Sequence, residues 1–175
     1  MFLNKIKIFL LISICLIFFL LTYNDVKSQE PKIISGIAKV IDGDTIKIRK
    51  SKIRLYGIDA PESKQICQKP WLTISFLSFN RDYPCGEIST KKLKNKINNK
   101  YILCKSFNKD RYKRFIAECY ENKTNVNKWM VQNGYAVAYR KYSNKFISYE
   151  NLAKKEKLGL WMGTFEMPWV WRKKK

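Results

Sequence analysis

Ser35-Gly36-Ile37-Ala38-Lys39-Val40-Ile41-Asp42-Gly43-Asp44-Thr45-Ile46-Lys47-Ile48-Arg49 alternates apolar and polar side chains on either side of an Asp-Gly pair, the pattern of two antiparallel strands joined by a tight turn. A third strand is predicted from Ile53 to Ile58. It ends in Asp59-Ala60-Pro61-Glu62, where proline, with no N–H to donate, stops the ladder. Ser63 to Gly86 shows no clean period and reads as a loop stapled between Cys67 and Cys85, carrying Trp71, Phe76, Phe79, Tyr83 and Pro84. Ile88, Lys91, Lys92, Leu93 and Ile97 are spaced for a basic amphipathic helix. Tyr101 to Lys105 and Arg114 to Tyr120 then read as two more strands joined by a polar connection. Asn125 is placed to cap a helix over Val126 to Gln132 that Gly134 ends, and a last helix over Ser148 to Leu158 stops at Gly159. Five strands with helices after the third and the fifth make an α+β fold: a five-stranded barrel of the OB-fold kind with helices packed against it.

Ahead of that domain, Lys5 and Lys7 precede an apolar run from Ile8 to Leu21 and a polar stretch ending Val26-Lys27-Ser28. This is the order of a secretory signal peptide, giving a leader at 1–28 and one domain at 29–175. The run is shorter than the roughly 20 residues that span a bilayer, so an uncleaved membrane anchor is the alternative to a secreted or periplasmic protein. Cys15 lies inside the run behind Ile14, too large a residue for a lipoprotein cleavage site. The formal charge is +21 over 175 residues, almost all of it outside the leader, and such a field favours polyanions through counterion release.

Histidine is absent, which removes imidazole bases, His metal ligands and Ser-His pairs. Beyond the leader, Cys67, Cys85, Cys104 and Cys119 form an even set in an exported chain and read as two disulfides, with three possible connectivities. A turn centred between Arg111 and Tyr112 sets Cys104 opposite Cys119, which favours that pair and leaves Cys67 with Cys85. Hydrolysis without histidine runs on carboxylates, arginines and water. Asp44 lies in the first turn, and Asp59 and Glu62 lie past the third strand, so adjacent strands can gather all three. Oxygen ligands alone select calcium or magnesium over zinc.

Val40-Ile41-Asp42-Gly43-Asp44-Thr45, Arg54-Leu55-Tyr56-Gly57-Ile58-Asp59-Ala60-Pro61-Glu62, Asp110-Arg111-Tyr112-Lys113-Arg114 and Leu158-Gly159-Leu160-Trp161 resemble, in order, the segments of the staphylococcal thermonuclease family. Pro84-Cys85-Gly86 and the Pro-Trp-Val-Trp-Arg end are similar to its exported, disulfide-bearing bacterial branch. The resemblance implies a calcium-dependent endonuclease that hydrolyses phosphodiester bonds of DNA and RNA with little sequence preference and leaves 3′-phosphate ends. It implies Asp44 and Asp59 as calcium ligands with the Ala60 carbonyl, Asp42 holding a metal-bound water, Glu62 activating the attacking water, and Arg54 and Arg114 clamping the phosphate. Arg111, Tyr112 and Tyr139 or Tyr142 are candidates for the neighbouring phosphate and base. Nucleic acid is the expected partner, and the protein is expected to act as a monomer. The family commonly has glycine where Lys113 stands; a positive φ there would cost lysine roughly 1 to 2 kcal/mol. Two other functions compete: an OB-fold module that binds nucleic acid without cleaving it, and a cationic protein that binds the cell envelope.

Overall fold

The computed structural model describes residues 7, 9, 10, 12–15 and 30–174. The chain divides into two compact units, Met1–Glu30 and Pro31–Lys175. The described leader residues are helical and exposed. Among the described residues no helix is long and apolar enough to cross a membrane. The expected cleavage after Ser28 lies outside the described residues.

In the second unit β1 (Lys32–Asp42), β2 (Thr45–Ile48), β3 (Ser51–Leu55), β4 (Ile58–Asp59), β5 (Cys67–Ile74) and β6 (Leu77–Tyr83) come first. Then follow α1 (Cys85–Ile97), β7 (Tyr101–Lys109), β8 (Phe115–Glu121), β9 (Thr124–Asn125), α2 (Val126–Gln132), β10 (Val137–Ala138), α3 (Ile147–Lys155) and α4 (Pro168–Trp171). The main sheet runs β3-β2-β1-β7-β8-β9, and a further pairing of β3 with β8 closes it, leaving β9 outside the ring. Since β3 and β8 run parallel while the other barrel neighbours are antiparallel, five strands close into a mixed barrel and lose their edges.

Alternation along the strands fills that barrel. Ile46 and Ile48 of β2, Ile53 and Leu55 of β3, Ile102 of β7 and Ala117 of β8 are buried, and Leu93 and Ile97 of α1 with Val126 and Met130 of α2 join the same cluster. Asn125 caps α2 as expected, its side chain accepting from Lys128 N at 2.9 Å. Both disulfides form as read: Cys104 faces Cys119 in the β7–β8 register with Cα atoms 4.0 Å apart, and Cys67 joins Cys85 at 5.6 Å.

Two expectations are corrected. The third strand does not run to Ile58: β3 ends at Leu55, Gly57 turns at φ 73°, and the chain restarts as β4, which pairs with β10 outside the barrel. The stretch read as a stapled loop is a hairpin, β5 against β6, turning at Ser75-Phe76 with Ser75 at φ 54°. A bulge between Pro70 and Leu72 breaks its period, and the paired side chains Leu72, Phe79, Ile74 and Leu77 face outward at 43 to 57% exposure. A hairpin that buries only its two ends, at Cys67 and Tyr83, gives no amphipathic contrast to read.

Candidate active site

Gly43 decides how closely the first turn approaches the rest. A Cβ there would lie 2.3 Å from Ser89 Oγ and 2.7 Å from Ala60 Cβ, so only glycine lets the turn rest on the segment after β4. Asp44 is thereby nearly buried, and its Oδ2 accepts from Ala60 N at 3.1 Å while its Oδ1 accepts from Thr45 Oγ1 at 3.0 Å. Arg54 stands opposite Thr45 in the β2–β3 ladder, between the inward-facing Ile53 and Leu55. Alternation therefore turns its guanidinium out of the core. One terminal nitrogen donates to Asp44 Oδ1 and the other to Asp59 Oδ1, each at 2.7 Å.

Asp59 is fully buried, and the turn at Gly57 and the β4–β10 pairing bring it to the same Arg54 guanidinium that holds Asp44. Glu62 is half-buried, and its loop is held from two sides. Its N–H donates to the buried Gln65 Oε1 at 3.3 Å, and α1 packs so tightly against it that a Cβ on Gly86 would fall 1.7 Å from the Glu62 carbonyl oxygen. Arg114 is presented by the turn between β7 and β8. There Asp110 accepts from Tyr112 N at 2.9 Å, Arg114 N at 3.0 Å and Arg114 Nε at 2.7 Å. This ion pair uses Nε, while the end of the guanidinium fork is the part suited to a bidentate anion contact. Lys113 in that turn takes φ 63°, the left-handed conformation that glycine adopts freely.

Asp42, Asp44, Arg54, Ala60, Glu62, Arg111, Tyr112, Arg114, Tyr139 and Tyr142 all line one open cleft of about 930 Å³. Asp59 lies beneath its floor. Tyr112 and Tyr142 are mostly exposed, whereas Tyr139 is stacked on Trp169 with ring centroids 5.4 Å apart and 11° between planes. Burial, then the adjacent Asp44 charge, pushes Asp42 up to about 6. Burial likewise raises Asp59, with Asp44 adding to it and Arg172 and Arg54 opposing. Burial would lower Arg54, but the Asp44 and Asp59 charges outweigh it and raise it further. At Asp110 burial also loses, here to the Arg114 bonds, and the carboxyl sits below its ordinary range.

Sequence reasoning missed Arg172. Its guanidinium reaches the floor of the cleft, donating to Asp59 Oδ1 at 3.0 Å, to Asp59 Oδ2 at 2.8 Å and to Glu62 Oε1 at 2.7 Å. The signal was the Pro-Trp-Val-Trp-Arg end, but nothing in a linear reading says that a terminal basic run folds back onto residues more than a hundred positions earlier. As a cation site, the cleft offers Asp44 and Asp59 carboxylates and the Ala60 carbonyl with no nitrogen or sulfur ligand, which suits a hard, weakly held ion. Among the described residues no three acidic or Cys side chains stand together as a metal cluster; guanidinium groups neutralise the acids instead.

An OB-fold barrel with a large cleft that gathers carboxylates, arginines and exposed tyrosines defines the class of this protein. The family described as staphylococcal nuclease homologue matches residues 52–163, and the chain belongs to that family. Arg54, Asp59, Glu62 and Arg114 lie inside the matched segment; Asp44 and Arg172 lie outside it. The chain is 34% identical over 147 residues to an uncharacterized endonuclease of Escherichia coli O157:H7, covering 79% of this chain and 84% of that one. It is 34% identical over 146 residues to the succinoglycan biosynthesis protein ExoI of Rhizobium meliloti (strain 1021), across 81% of this chain and 71% of that protein. It is also 28% identical over 158 residues to the staphylococcal-like nuclease CAN1 of Arabidopsis thaliana, across 87% of this chain and 43% of that protein.

Proposed function

We propose that the protein is an exported, calcium-dependent endonuclease, acting as a monomer on DNA and RNA with little sequence preference and leaving 3′-phosphate ends. The observation that carries this reading is the convergence of Asp44, Arg54, Glu62 and Arg114 on one cleft, with Asp59 directly below. Phosphodiester hydrolysis spreads negative charge over the oxygens of a five-coordinate phosphorus, and preorganised cations aimed at those oxygens lower its barrier. Arg54 and Arg114 are the donors, and their planar forks match two phosphate oxygens at once. Glu62 takes the proton of the attacking water, and the 5′ oxygen leaves. Calcium, held by Asp44, Asp59 and the Ala60 carbonyl, with Asp42 positioning a bound water, would supply a hard positive charge beside the phosphate. Tyr112, Tyr142, Tyr139 and Arg111 contact the neighbouring base and phosphate, and neither stacking nor phosphate contact reads sequence. Export through the leader 1–28 agrees with two disulfides, which persist in oxidising compartments.

Incubation with supercoiled plasmid and with single-stranded RNA, in calcium and then in excess chelator, tests the whole reading. Nicking and linearisation of DNA and fragmentation of RNA are expected in calcium only, with 5′ ends that accept a labelled phosphate directly. Full cleavage in chelator would remove the metal from the account. Binding without cleavage would leave a nucleic-acid-binding module, and neither would leave an envelope-binding protein.

A further inference from the structure

Arg172 is not a loose surface cation. It follows α4, which begins with Pro168 at its first turn and carries Trp169 onto Tyr139 in a near-parallel stack. The segment before α4 is fixed independently. Buried Gln65 donates through Nε2 to the Glu166 carbonyl at 2.7 Å while its Oε1 accepts from Glu62 N. The loop that carries Glu62 and the segment that carries Arg172 are thus tied through one buried amide. Asp59, fully buried, has its Oδ1 shared between Arg54 and Arg172 and its Oδ2 taken by Arg172. Arg172 rises above its ordinary value, held by Asp59 and then Glu62 against the effect of burial, so it is a permanent charge.

We propose that Arg172, delivered to the active site by α4, is a positioning residue: a built-in cation that holds Asp59 and Glu62 in place and competes with calcium for Asp59. This rests on the reading of Asp59 as a calcium ligand. The argument is one of charge and lone pairs. A carboxylate offers about four acceptor positions, and three at Asp59 are used by two guanidinium groups. A divalent ion that adds to Asp59 meets a guanidinium at contact distance, where like charges repel strongly in a partly buried site. The ion and the Arg172 contact therefore oppose each other, and by linkage each weakens the other equally. Glu62 feels the same guanidinium, so loss of Arg172 also releases the carboxylate that activates water.

The two consequences have opposite signs, and this separates positioning from mere support. Calcium binding to the full-length chain is measured by isothermal titration for the wild type, Arg172→Gln, Arg172→Lys and Asp59→Asn, with turnover at saturating calcium measured beside it. Arg172→Gln is expected to bind calcium about tenfold more tightly and yet turn over at least severalfold more slowly. Arg172→Lys, a cation without the fork, is expected to keep calcium affinity near the wild type while losing turnover. Weaker calcium binding together with slower turnover in Arg172→Gln would mean that Arg172 only supports the fold, and unchanged values would mean that it does not act at the site; either overturns the proposal. If Asp59→Asn binds calcium as the wild type does, the assignment of the metal site fails first and the competition falls with it.

Discussion

Arg54 and Arg114 reach the cleft by different routes, so their substitution tests different things. Arg54 joins two carboxylates with two nitrogens, each at 2.7 Å; a single ammonium cannot do so. Arg114 depends on its turn, where Asp110 collects three donors. Arg54→Lys and Arg114→Lys are each expected to lower turnover by a factor of roughly 10² or more, about 3 kcal/mol of transition-state stabilisation, with a smaller change in affinity. Steady-state cleavage at saturating calcium and DNA is the measurement, and wild-type turnover in either variant would end the assignment. Gly86 makes a complementary test away from any charge. Its missing Cβ is required because the Glu62 carbonyl oxygen stands 1.7 Å from where that atom would lie. Gly86→Ala must push the Glu62 loop aside, and it is expected to cost about 1 to 3 kcal/mol of stability by overpacking and to reduce turnover more than a surface Gly→Ala change of equal thermal shift. The acids and arginines that meet at the cleft were legible in the sequence because each sits near the end of a short strand or in a turn with a recognisable pattern. Arg172 was not, because its position is set by the stack of Trp169 on Tyr139 and by Gln65 reaching Glu166, contacts between residues far apart in the chain.

At the scale of the elements, the readings that held are those where local chemistry and burial agree. The β1–β2 hairpin, the cap at Asn125 and the Cys104–Cys119 register all had a turn, a cap or a count to fix them. The β5–β6 hairpin was missed because its bulge shifts the alternation and its apolar face meets solvent. Lys113 shows the reverse case, a position where the family's usual glycine would permit a positive φ, and the lysine that stands there takes φ 63°. The link between α3 and β10 was invisible in the sequence, since it rests on one buried carboxylate. Glu150 accepts from Ala138 N at 3.0 Å and pairs with Lys154 at 2.9 Å and with Arg140, and so fixes the strand that leads into Tyr139. Burial alone would raise this acid; the bonds from Arg140 and Lys154 outweigh burial and hold it below the ordinary 4.5. A depressed carboxyl contributes stability that is fully present above its unfolded value and is lost as pH falls through its folded one. Glu150→Gln is therefore expected to lose about 2 to 3 kcal/mol at neutral pH, and the gap from wild type should shrink below pH 4.5. Thermal unfolding of both proteins across that range decides it, because an equal gap at all pH values would mean that the charge of Glu150 is not what stabilises the link.

For the molecule as a whole, a formal charge of +21 raises the question of which cations meet the substrate and which only colour the field. The basic helix α1 stands away from the cleft: its Lys96, and Lys100 just beyond its end, are spent on Glu121 at 2.9 and 3.1 Å, and no residue of that helix lines the cleft. Arg111, Lys141 and Lys173 do line it, beside Arg54 and Arg114. Each phosphate neutralised on duplex DNA contributes about 0.9 to the slope of log affinity against log salt. Lys141→Gln with Lys173→Gln is accordingly expected to reduce that slope by about 2 and weaken binding at low salt, with saturated turnover nearly intact because neither residue contacts the carboxylates or the reacting phosphate. Lys91→Gln with Lys94→Gln, the same charge removed from the exposed face of α1, should move the slope far less, since exposed charges beyond about 8 to 10 Å are screened at physiological ionic strength. Fluorescence titration of an oligonucleotide across a salt series compares the pairs directly. Equal slopes for both double variants would mean that binding follows net charge alone, and the cleft would then have no privileged path for the strand.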